Sequence, residues 1–211
     1  DAQSDDPVLY LHDQAYFLSA LVALHQATGQ GRWLDEAVTL ADAIVAHLVG
    51  EGGGLVAHTA DPRAEGFFAA PRVPITDNAV AARAFARIAR LRDEPTYREI
   101  AISALRAVAR PAAVRELGRM VGELLLAVET IEDGLVVLSV VGPDEPRTAA
   151  LHRAALRFYD PACLVELGRP GASRYPYPGE PAVFLCTNES CSMPIFDPDE
   201  LPTSVASFLG R

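Results

Sequence analysis

No lysine occurs in this chain of 211 residues; all 18 basic residues are arginine. That excludes Schiff-base chemistry on a lysine and a phosphate loop built around one, because arginine replaces lysine in neither role. Cysteine is scarce, with three in all, too few for a disulfide scaffold. An intracellular chain and a lightly oxidised one fit equally well, and the cytoplasm is the compartment the composition leans toward. No apolar run approaches the ~20 residues of a membrane helix, so no membrane is expected as a partner. None reads as the core of a signal peptide. Positive charge is outweighed: 28 acidic residues set the net charge at −10. Binding to a phosphate backbone draws on clustered cations, so nucleic acid is not an expected partner. No C-x2-C zinc pair and no G-x-G-x-x-G turn is present. Gly142-Pro-Asp144 follows a strand pattern but lacks those glycines. No motif calls for a cofactor. The chain begins at Asp1 rather than Met, so it is expected to be processed or part of something longer.

What is present is apolar and helical. Half the residues are hydrophobic, enough for one large core or two small ones. After a polar stretch, Asp1 to Asp6, residues 9–28 read as a helix apolar nearly all round, which predicts burial on most sides. Residues 32–49 read as a one-sided helix, with Leu34, Val38, Ala41, Val45 and Leu48 on one face. The pattern recurs as an apolar helix over 76–91 and a one-sided helix over 96–110. The two pairs align at an offset of 64, setting His12-Asp13-Gln14-Ala15 on Thr76-Asp77-Asn78-Ala79 and Trp33 on Tyr97. Two stacked helical hairpins are the expected result. A fifth helix is expected over 112–130.

From Leu135 the pattern changes. Leu135–Val141 is a continuous β-branched run, which suits a strand covered on both faces. A turn, a helix over 147–159, strands at 163–167 and 182–185 and a Gly/Pro/Tyr-rich loop between them follow. The expected fold class is therefore mainly α: hairpins over residues 1–133, then a small α/β unit over 134–211.

Several residues carry candidate chemistry. Asp13 and Asp77 begin equivalent helices, and parallel stacking brings such N-termini to one end. His12, Asp13, Asp77 and Asn78, with His58 from the intervening loop, then form a polar mouth. A histidine among carboxylates suits proton abstraction. The competing reading is helix capping, since Asp, Asn and Thr satisfy orphan N–H groups. Cys186 and Cys191 read as inert thiols, a disulfide or redox pair, or metal ligands. Cys163 reads as a small core hydrophobe. Arg83, Arg87 and Arg90 share one helix face and read as ion-paired rather than as an anion site.

The chain resembles the thioredoxin-fused proteins with a six-hairpin α-barrel, the spermatogenesis-associated thioredoxin-like family. The likeness rests on Ala27-Thr-Gly29 with Arg32-Trp-Leu34, on Gly52-Gly-Gly-Leu55, and on Pro74-Ile-Thr-Asp-Asn78-Ala-Val-Ala81. Val137–Gly142 and the closing Cys186-x4-Cys191 with Asp197-Pro-Asp-Glu-Leu201 complete it. His12 stands where the family has an Asp, and Thr76-Asp77 where it has Ser-Gly. No Trp-Cys-x-x-Cys centre is present, and five helices cannot close a barrel of about twelve. The resemblance implies the C-terminal portion of such a protein, a partial (α/α) barrel. Its implied partners are a thioredoxin-like domain or the missing barrel half, in the same or a separate chain, or a second copy of itself. Sugar epimerases with a related barrel carry acid–base residues at the mouth, which implies His12, Asp13 and Asp77 as catalytic, Asn78 and His58 as binding, and Cys186 and Cys191 as redox residues. The alternative it leaves open is a non-catalytic interaction or redox-docking module.

Overall fold

The computed structural model describes residues 8–66, 69–70, 72–158 and 160–210. The expected polar stretch Asp1 to Asp6 and the end of the helix placed at Tyr159 lie outside them. The described chain is mainly helical with one three-stranded sheet. It divides into two compact units, one reaching to Val22 and resuming over Arg32–Glu132, the other made of Ala23–Gly31 and Asp133–Arg211.

The first unit holds most of α1 (Leu11–Thr28), then α2 (Gly31–Leu48), α3 (Ile75–Arg92), α4 (Pro95–Val108), α5 (Pro111–Leu117) and α6 (Gly122–Glu132). Helix α3 is its centre. Its row of alanines with Val80, Phe85, Ile88 and Leu91 is buried nearly all round, and small side chains let α4 and α6 pack against it. The α3–α4 turn is written in the sequence. Asp93 ends α3 in the left-handed region at φ 57, a conformation Asp tolerates. Glu94 then caps α4 through the Thr96 N–H, with Pro95 at the first helical position. Helix α2 buries Leu34, Ala37, Ala41, Ile44 and Leu48, and Tyr97 of α4 donates to Asp42 of α2 at 2.7 Å.

Two expectations are corrected. The helix expected over 112–130 is two helices, separated by a 3-10 turn at Gly118–Met120. Gly118 sits at φ 53, which only glycine adopts freely, so the helix breaks there. Helix α1 is not buried on most sides. Leu11, Ala15, Leu18, Leu21 and Val22 face inward, while Tyr16, Phe17 and Leu24 are 44%, 58% and 39% exposed.

In the second unit β1 (Val136–Val141) is the middle strand, parallel to β2 (Cys163–Gly168) and antiparallel to β3 (Ala182–Cys186). The parallel pair needs a crossover, which α7 (Pro146–Arg157) supplies. Both faces are covered, and this explains the continuous apolar run of β1. Leu151 and Ala155 of α7 and Leu201 and Val205 of α8 (Leu201–Phe208) cover one face; Tyr175, Tyr177 and Phe196 cover the other. Each edge strand has a partner outside the sheet, and unpaired edges invite aggregation. On the β2 side Gln26 accepts from the Val165 N–H at 3.0 Å through its side chain, and from His152 Nε2 at 2.8 Å through its backbone carbonyl. Burial holds His152 below its ordinary pKa, so it donates as a neutral ring. On the β3 side Ile195 pairs with Val183, and Cys191 with Cys186.

Candidate functional site

The first turns of α1 and α3 lie side by side. His12 Nδ1 stands 3.0 Å from Asp77 Oδ1. An ionised carboxylate only accepts, so Nδ1 carries the proton and Nε2 is left as the basic nitrogen of the neutral ring. The hydrogen bond that His12 donates to Asp77, then the charge of Asp77, and finally the nearby charge of Asp13 raise the His12 pKa above its ordinary value. His12 is open to solvent while Asp77 is mostly covered, at 65% and 18% side-chain exposure. The reactive edge is thus accessible and the orienting group is fixed. The Tyr16 ring, one turn along α1, lies 4.7 Å from the His12 ring.

Asp77 lies in the first turn of α3, where its charge suits the helix N-terminus, but it is not the cap residue. The cap position of α3 is Pro74, which offers no side-chain hydrogen bond, and the Asp77 carboxylate turns to His12 instead. Asp13 is exposed in the first turn of α1 and reaches the pair through its charge.

The other proposed members part from this pair. Asn78 is fully buried. Its Oδ1 accepts from Leu55 N–H, and its Nδ2 donates to the carbonyls of Leu55 and Pro74, each at 2.8 Å. With every donor and acceptor directed at backbone, Asn78 holds the loop before α3 in place and presents nothing to a ligand. His58 donates from Nδ1 to the Thr59 carbonyl at 2.7 Å, which likewise leaves Nε2 as its basic nitrogen. It lines a cleft with Tyr10, Asp61 and Arg63, and the Tyr10–His58 bridge ties that loop to the start of α1.

In the second unit Cys186 and Cys191 form a disulfide, with their Cα atoms 4.1 Å apart. Cys186 is buried on β3 and Cys191 is exposed. Cys163 is buried in β2 as a core residue. Among the described residues no cluster of three or more His, Cys, Asp or Glu is arranged to hold a metal ion.

Sequence reasoning missed one neighbour of the histidine pair, Tyr16, which was legible as the residue four positions after His12 on the same helix face. Arg83 of α3 is ion-paired as expected, to Glu123 of α6 at 2.7 Å; which carboxylate it meets had no local signal, because 40 positions separate the two.

No protein-family model matches the chain, and no curated protein matches it.

Proposed function

We propose that this chain is the C-terminal portion of a thioredoxin-fused α-barrel protein, its hairpins forming part of an (α/α) barrel, and that it moves a proton on a sugar-like small molecule at the barrel mouth. The single observation behind the chemistry is the His12–Asp77 hydrogen bond. A carboxylate on Nδ1 fixes the tautomer, orients the ring and supports the imidazolium that forms when Nε2 takes a proton. Asp13 adds to that support. An epimerase needs such a group to remove a proton from carbon and return it. The 64-residue repeat of hairpin patterns and the residues shared with the family support the barrel reading.

The test is carbon-bound hydrogen exchange. A panel of reducing sugars and sugar acids is incubated with the protein in D2O and followed by proton NMR. Loss of one C–H signal with the wild type, abolished by His12→Asn and slowed by Asp77→Asn, is the expected result. No exchange on any compound sinks the proton-transfer reading.

A second reading is favoured by the Cys186–Cys191 disulfide, whose Cys191 is exposed: a redox-docking module for a thioredoxin-like domain in the same or a separate chain. The exposed Tyr16, Phe17 and Leu24 would then meet the missing barrel half or a second copy. Exchange of the disulfide with a thioredoxin-type dithiol, trapped as a mixed disulfide at Cys191, distinguishes it.

A further inference from the structure

The geometry points to a small carboxylate-bearing molecule as the ligand of the first unit, its acid group held by Arg83 in a cleft between α1, α3 and α6. This rests on the reading of His12 and Asp77 as the proton-transfer pair, and it names the substrate class for that site.

The cleft encloses about 150 Å³ and is lined by Tyr16 of α1, by Val80, Arg83 and Arg87 of α3, and by Glu123 of α6, among others. One side chain links it to the histidine pair. Tyr16 forms a wall of the cleft, and its ring rests against His12. Val80 and Arg83, three positions apart on α3, both face the cleft. A ligand in the cleft thus lies against Arg83 and against the Tyr16 ring that contacts His12.

Arg83 is set up for an anion. Its Nη1 donates to Glu123. Its Nε is buried and has no hydrogen-bond partner among the described residues. A buried donor left unmade costs free energy, and a guanidinium grips a planar carboxylate with two parallel bonds. Glu123 occupies Nη1. The same Glu123 limits the guest: its charge offsets that of Arg83, so a monoanion suits the site better than a phosphate dianion. Size points the same way. Pockets for drug-sized ligands run to roughly 300–1,000 Å³, so this cleft is too small for a nucleotide and large enough for a small acid.

The test is calorimetric titration of the full chain with D-glucuronate, D-galacturonate, D-gluconate and L-lactate, with D-glucose as the neutral control. Saturable binding of at least one acid and none of glucose is expected. Arg83→Gln should weaken that binding about tenfold or more. In case Arg83→Gln disturbs folding by stranding Glu123, Glu123→Gln provides the second arm. It removes the internal competitor and should tighten acid binding. His12→Asn should leave the affinity within about twofold. No binding of any acid, glucose binding as well as the acids, or weaker acid binding by Glu123→Gln would each overturn the proposal. If acids bind but no C–H exchange occurs in D2O, the anion site stands and the proton-transfer reading falls.

Discussion

Replacing Asn78 separates a ligand-binding role from a structural one, and the structure says which to expect. The Leu55 N–H and C=O both pair with the Asn78 amide, and Leu55 is fully buried. Its neighbours bond elsewhere, Gly50 N–H to the Gly54 carbonyl and Val56 N–H to the Leu48 carbonyl. Asn78→Ala therefore strands two buried backbone groups. At about 1–3 kcal/mol for each, less the ~0.6 kcal/mol by which alanine favours a helix, the expected loss is about 2–5 kcal/mol. The Pro74 carbonyl still receives the residue-78 N–H, so it adds little. Asn78→Asp keeps the acceptor but turns a carboxylate toward two carbonyls. Its folded-state pKa must rise, so its penalty is largest at neutral pH and shrinks as pH falls into the carboxylate range. The chain has one tryptophan, Trp33 on α2, so its fluorescence reports on the first unit alone. Urea unfolding followed this way should show the Asn78→Ala midpoint lowered by about 1–2.5 M, taking an m-value of ~2 kcal/mol per M. A loss below about 1 kcal/mol, or an Asn78→Asp variant as stable as wild type, would refute this account of Asn78.

At Gly29, φ is 66 and an added Cβ would stand 2.6 Å from Leu167 Cδ2, so Gly29→Ala should cost at least the ~1–2 kcal/mol of a left-handed side chain. Hydrogen exchange should show faster exchange in β2, and unchanged protection there would count against it. Reducing the Cys186–Cys191 disulfide, which joins residues five apart, should destabilise the second unit by about 2 kcal/mol on the chain-entropy estimate; calorimetry with and without reductant checks this, and overlapping transitions would contradict it. For His12 the folded-state pKa is raised. The stabilisation from its pairing is therefore present below about pH 6.5 and is lost as pH rises through the folded value. An NMR titration of the His12 ring should give a midpoint above 6.5 that drops in Asp77→Asn, and an unmoved midpoint would remove Asp77 as its partner.

The fold was legible wherever a local period carried it. Helices α1 to α4 start and stop within about two residues of the sequence reading, because Gly29, Gly50, Asp93 and Pro95 punctuate an otherwise regular apolar pattern. The β-branched run before Gly142 marked β1, and its continuity announced two covered faces. The break in the fifth helix was hidden in plain view. Gly118 and Gly122 stand inside a pattern that still repeats at helical spacing, and a glycine within a helix costs only ~1 kcal/mol, so composition alone did not decide against one long helix.

The candidate site was legible by a different route, and that route explains its errors. The internal repeat placed Asp13 and Asp77 at equivalent helix starts, with His12 on the same rim, and helix packing brings such ends together; it is His12 that meets Asp77, at 3.0 Å, while Asp13 stays exposed. The same logic put Asn78 in the mouth, but successive helical residues point about 100° apart. Asp77 faces α1, so Asn78 faces the loop that carries Leu55, and its amide is consumed there. His58 and Glu123 lie beyond what a repeat can reach, since one is on an irregular loop and the other on a helix outside the repeated pairs. The exposure of Phe17 and Leu24 likewise escaped the sequence reading. An apolar side chain records a preference for cover and not the element that supplies it. A helix apolar on all sides is read as central, whereas α1 has inner neighbours along one stripe only. Its other stripe is available surface in the described chain, and it lies on the same helix as Tyr16 and His12.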